Sequence, residues 1–230
     1  MMTLLRRLLI AALIAGSASG ALLGMAQVAF ITPLILEAEV HERRDSSRQE
    51  SAQPAWEPGI ERNAYTVLFS TLGGIAFALL LNAGMLLRGR PGIKQGLLWG
   101  CAGFAAFSLA PALGLPPELP GAPAADLLAR QTWWIGTVLA TALGLSCIAF
   151  SRQPWVRALG VVALVMPHLI GAPGGMDSGE SPVAHFERAF VAASLGTMLV
   201  FWVIMGALSG YLQDKLLAAN KHGASLARPA

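Results

Sequence analysis

Residues 189–213, AFVAASLGTMLVFWVIMGALSGYLQ, form a run of 25 residues without a charged side chain, closed by Arg188 at one end and Asp214 at the other. A helix needs about 20 mostly apolar residues to cross the ~30 Å hydrocarbon core of a bilayer, so this run is long enough. Working outward from it, charge is excluded in the same way from 8–36, 63–87, 95–117, 131–151 and 158–176. A soluble protein of 230 residues has no physical reason to keep charge out of six such windows. A bilayer does, because a charge at its centre costs about 2.5–3.5 kcal/mol on insertion scales. The charged fraction of 13% is also far below the roughly one quarter usual in soluble domains. The expected fold is therefore all-α: a polytopic membrane helical bundle of about six transmembrane helices, forming a single integral membrane domain over 1–230. The expected spans are about 8–36, 64–87, 95–115, 132–150, 156–172 and 189–212, with an outer loop over 37–62.

The basic residues set the orientation. With the N-terminus inside, the cytoplasmic segments hold Arg6, Arg7, Arg88, Arg90, Lys94, Arg152, Arg157, Lys215, Lys221 and Arg228, with Asp214 as their only acid. The outer segments hold the other twelve acids and six arginines. Lys and Arg in short loops mark the cytoplasmic side, so both termini are expected there. The fifth span is the weakest, because Pro167, His168, Gly171 and Pro173 interrupt it. Five spans are the alternative, but two basic tails favour an even number. Arg6 and Arg7 before an apolar stretch imitate a signal peptide. The uncharged run continues to Leu36, however, so an uncleaved first helix is expected. The long first helix is expected to tilt or project outward to Glu37–His41. Glycines 16, 20, 24, 96, 100, 206 and 210 recur at helical spacing, a device that lets membrane helices approach closely. Cys101 and Cys147 lie inside apolar windows and read as packing residues. The net charge of +3 flanks hydrophobic spans and forms no basic patch, so no nucleic-acid partner is expected.

No phosphate-binding loop, nucleophile elbow, zinc-protease motif or dinucleotide fingerprint occurs, so no enzyme and no permanently bound cofactor are expected. The polar groups instead gather on the expected outer face. Glu37, Glu39 and His41 close the first helix, and Glu37 and His41 would share a helical face at four-residue spacing. An ordinary charged helix end is the plainer reading. His168 follows Pro167 in the short fifth span; an ionisable group at that depth marks a functional site or a helix end. His185 with Glu187, after Asp177 and Glu180, offers imidazole and carboxylate to a divalent metal or forms a solvated loop. Asp126 and Arg130 suit an interfacial ion pair, and Glu118 sits in a proline-rich loop. An outer mouth holding twelve acids against six arginines attracts cations. Metal import fits that field, and anion transport does not.

Several segments carry a resemblance as well: Thr32-Pro-Leu-Ile-Leu-Glu-Ala-Glu39, Leu109-Ala-Pro-Ala-Leu-Gly-Leu-Pro-Pro-Glu-Leu-Pro-Gly121, Arg130-Gln-Thr-Trp-Trp134 and Pro167-His-Leu-Ile-Gly-Ala-Pro173. Over nearly its whole length the chain resembles the CbtA family of predicted cobalt transporter subunits. The resemblance implies uptake of Co²⁺ for cobalamin synthesis across a bacterial inner membrane, with a small single-span, histidine-bearing partner (CbtB-like). Glu37, Glu39, Glu118, Arg130 and His168 carry over as candidate functional residues. His41 and His185 rest on the residues alone. Ni²⁺ accepts the same nitrogen and oxygen ligands and is the other candidate cargo. A rival from another class is a non-transporting scaffold for another transporter, which needs packing glycines but no polar path.

Overall fold

The structure, a computed structural model, describes residues 2–46, 59–88, 92–119, 125–174 and 184–226. These residues are overwhelmingly helical, with no strand among them. Helix α1 (Met2–Ala26) passes through a π-turn (Gln27–Ile31) into α2 (Thr32–Ser46). Helix α3 (Ile60–Arg88) follows, then α4 (Ile93–Phe104), a second π-turn (Ala105–Leu109) and the short α5 (Ala110–Ala112). Helices α6 (Leu127–Phe150), α7 (Pro154–Ile170) and α8 (Ala184–Leu226) complete the chain.

Local chemistry fixes several of these ends. Glu61 opens α3 and Arg88 closes it, each complementing the helix dipole. Asp126 caps α6 by accepting a hydrogen bond from the Ala129 N–H at 3.0 Å. Pro154 starts α7, where its missing N–H would have no partner anyway. Gly171 ends α7 at φ +85°, a conformation that suits only glycine, and donates its N–H to the Pro167 carbonyl. Helix runs through 37–46 and from 60 onward, where an outer loop over 37–62 was expected. The reason is local: Leu, Ala, Glu and Arg dominate Thr32–Ser46, and these are strong helix formers even without an apolar window.

Four helices among the described residues are long and apolar enough to cross a membrane: Leu4–Glu39, Ile60–Arg88, Leu127–Phe150 and Glu187–Ala218. Helix α7 is apolar but has only 17 residues, a reach of about 25 Å at 1.5 Å per residue. Large apolar side chains such as Phe69, Leu80, Leu139, Leu143 and Leu169 are more than half exposed along these helices. Water would not tolerate so much apolar surface on helix after helix; lipid does. The chain is a membrane protein.

Where the sequence suggests one domain, the chain divides into two compact units: Met1–Val28 with Ile60–Cys101 and Thr197–Ala230, and Ala29–Gly59 with Ala102–Gly196. In the first, α1 lies directly on α3. A Cβ added at Gly16 would sit 2.5 Å from the Ile75 Cα, and one at Gly24 would sit 2.6 Å from the Val67 Cα. Gly96 and Gly100 of α4 meet Gly206 and the Trp202 carbonyl of α8 in the same backbone-to-backbone manner. A polar lock completes this unit. Asn82, fully buried, donates to Ser209 Oγ at 2.9 Å and to the Ala78 carbonyl at 2.8 Å. Gln213 donates to Asn82 Oδ1 at 2.8 Å, so the amides tie α3 to α8.

In the second unit α6 packs on α7, with Gly144 and Gly160 in mutual contact: a Cβ added at Gly144 would lie 2.6 Å from the Gly160 carbonyl. A small hydrophobic cluster, Ile31, Ala38, Leu119 and Phe190, joins α2, the proline-rich loop and the start of α8, with Leu34, Ile35 and Ala193 packed against it.

Candidate functional site

The acidic residues singled out in the sequence attach to that cluster. Ala38 is 1% exposed and lies between Glu37 and Glu39. Leu119, 3% exposed, is the neighbour of Glu118, and Phe190 stands one turn after Glu187 in α8. Burial of four apolar side chains thus gathers the backbone of four acidic positions from three distant parts of the sequence at one place in the second unit. Glu37 is exposed, while Glu39, Glu118 and Glu187 are half-buried. Carboxylates held this way present hard oxygen donors to a hydrated cation.

Arg130 modifies this field. Its guanidinium meets Glu118 Oε2 at 2.8 Å, tying the proline-rich loop to the first turn of α6. The sequence pairs Arg130 with Asp126, and the structure corrects this. Asp126 is the N-cap of α6, outside its first helical turn, and its carboxylate oxygen is taken by the Ala129 N–H. Four-residue spacing produces a side-by-side pair only when both residues lie within the helix.

His168 occupies the last turn of α7. The helix continues through Pro167 to Ile170, so the histidine lies neither in a broken segment nor beyond the helix end. Its half-buried ring packs edge-to-face on Trp133 of α6, with centroids 6.2 Å apart. The other side of Trp133 lies over Gly114, where a Cβ would collide with the indole. An open groove of about 560 Å³ lies beside it, lined in part by Asp126, Thr132, Trp133 and Pro173. His168 and the acids therefore belong to the same unit but not to one coordination sphere. Among the described residues no three His, Cys, Asp or Glu side chains group so as to hold a metal ion. His41 and His185 lie on α2 and α8, with side chains outside the described residues; Asp177 and Glu180 lie outside them altogether.

Sequence reasoning overlooked the polar groups buried between helices. Asn82, Ser209 and Gln213 are one set; Thr137 and Thr141, both at most 3% exposed on α6, are another. Their signal is faint: isolated amides and hydroxyls within apolar windows, without charge to draw attention.

A family model described as probable cobalt transporter subunit (CbtA) matches residues 5–214 of the chain. No curated protein and no solved structure matches it.

Proposed function

This chain belongs to the CbtA family, and from that premise we propose that it is the membrane-embedded subunit through which a divalent metal cation, cobalt first, is taken up to supply cobalamin synthesis. The protein lies in a bacterial inner membrane, crosses it six times and keeps both termini in the cytoplasm. It works with a second subunit, a small single-span chain bearing histidine. Hydrated Co²⁺, or Ni²⁺ as competitor, collects at the acidic face, exchanges water for carboxylate and imidazole near His168, and moves inward. The membrane potential favours that step by about 2.3 kcal/mol per charge per 100 mV, and by about twice this for a divalent ion. Transport along this gradient requires no ATPase in principle.

The observation that carries the reading, beside family membership, is the Ile31–Ala38–Leu119–Phe190 cluster, because it brings Glu37, Glu39, Glu118 and Glu187 together within the unit that contains His168. The test is uptake of radioactive cobalt into proteoliposomes holding the chain, with and without the small partner, and with nickel as competitor. Saturable uptake is expected, and His168→Ala should lower it while leaving protein abundance intact. Unchanged uptake in that variant would remove His168 from the mechanism. Failure of the chain and partner together to carry cobalt, under conditions where both are folded, would turn the assignment toward the scaffold.

A further inference from the structure

Hydroxyl groups in the membrane helices of this chain follow a rule with one exception. Ser19, Thr66, Thr71, Thr137 and Ser146 each donate to the backbone carbonyl four residues earlier, at 2.6, 3.0, 2.7, 2.8 and 2.7 Å. Thr141 does not. It is 3% exposed, and its Oγ1 is buried without a hydrogen-bond partner. Such a group is costly where no water is at hand, and the local remedy used by its neighbours was open to it.

A second unsatisfied group stands opposite. Gly144 of α6 and Gly160 of α7 touch, and Trp133 meets His168 further along the same antiparallel pair. Thr141 lies one turn from Gly144 toward the His168 end, and Ala163 lies one turn from Gly160 in that direction. Ala163 shares a helix face with the buried residues Gly160 and Pro167. Pro167 has no N–H, so the Ala163 carbonyl lacks its helical donor. Further outward, Trp133 Nε1 is also buried without a partner. Trp133, Thr137 and Thr141 follow at four-residue spacing, so polar groups line one face of α6 over about 12 Å.

We propose that this seam is a hydration site: Thr141 and the Ala163 carbonyl hold water inside the second unit, and they receive the aqua ligands of a divalent cation as it leaves the His168 region. The donor set fits this ligand. A hydroxyl can donate or accept, a free carbonyl accepts from the acidic protons of metal-bound water, and neither carries the charge that would trap the ion. The cargo half of the inference rests on the proposed uptake function; the hydration half does not.

Two measurements on the full chain test the halves separately. In a Cys101→Ala, Cys147→Ala background, Thr141→Cys in native membranes should react with a charged, water-soluble thiol reagent. Leu139→Cys, at a position 57% exposed and facing lipid in this reading, should not. Equal labelling at the two positions overturns the hydration site. Cobalt uptake should fall about tenfold in Thr141→Val, the loss of one hydrogen-bonding group, and stay within about twofold of wild type in Thr141→Ser. Wild-type uptake by Thr141→Val at equal abundance overturns the role in transport. Labelling at 141 in a protein that carries no cobalt at all would sink the uptake function and leave the hydration site standing.

Discussion

Asn82 and Gln213 are joined side chain to side chain at 2.8 Å inside the first unit, and both are buried. Interhelical hydrogen bonds of this kind contribute about 0.6 kcal/mol on average and up to about 1.7 kcal/mol in membrane proteins. A double-mutant cycle of Asn82→Ala and Gln213→Ala, read by thermal unfolding in detergent, should give a coupling energy in that range. Glu118 and Arg130 are both nearly one-third exposed, so their pair should contribute less, at most about 1 kcal/mol. Charge reversal of both residues together should restore whatever either reversal alone loses, measured the same way. Asp126→Ala removes a helix cap and should cost about 1 kcal/mol. At this scale the sequence was half legible. It identified Glu118, Arg130 and Asp126 but joined the wrong two, because the Glu118–Arg130 contact closes across a loop whose geometry no spacing rule encodes. Thr141 was invisible, since only the absence of a neighbouring acceptor makes it unusual.

The helices themselves were written in the exclusion of charge, and their packing in the recurrence of glycine. Gly16, Gly20 and Gly24 do face α3, and Gly96, Gly100, Gly206 and Gly210 do meet one another. Gly144 and Gly160 went unnoticed because each stands alone in its helix, outside any four-residue series. Replacing Gly160 with leucine should force α6 and α7 apart and cost about 1–3 kcal/mol, the range for overpacked interiors, with a matching loss of folded protein on size exclusion. Gly171→Ala should cost a similar amount, about 1–3 kcal/mol, because φ +85° with ψ 148° is closed to other residues. Element boundaries were less legible. The apolar signal stops at Leu36, but helix-forming residues carry α2 on to Ser46. Neither π-turn has a recognisable composition.

For the molecule as a whole, the distribution of basic residues predicts which side of the membrane each end occupies. Green fluorescent protein fused to either terminus should fluoresce, and alkaline phosphatase at the same points should stay inactive. An active phosphatase at one end would reverse the proposed direction of the acidic face. Membership of a transporter-subunit family implies a companion chain. Cobalt uptake should therefore rise when the small histidine-bearing subunit is co-reconstituted, measured at equal amounts of this chain. The family was legible in short segments, notably the proline-rich stretch from Leu109 to Gly121, because rigid turns constrain sequence more tightly than lipid-facing helices do. The complete set of metal ligands was not, because a permeation route assembled from separated carboxylates, an imidazole and hydroxyls has no fixed spacing along the chain.

The π-turn at Gln27–Ile31 makes the first helical rod sensitive to a kind of change that substitution experiments do not sample. A π-turn accommodates one residue more than the α-helical turn it replaces. Deleting a single residue there, Val28 for instance, could restore an uninterrupted α-helix and leave the segment regular by any local measure. Everything beyond the deletion would then be out of phase by about 100°, one residue's rotation in a helix of 3.6 residues per turn. Ala38 would swing away from Leu119 and Phe190, and Glu37 or Glu39 would come round in its place. The extra residue thus works as a phase setting, which natural variants of this chain can alter only by insertions and deletions that cancel.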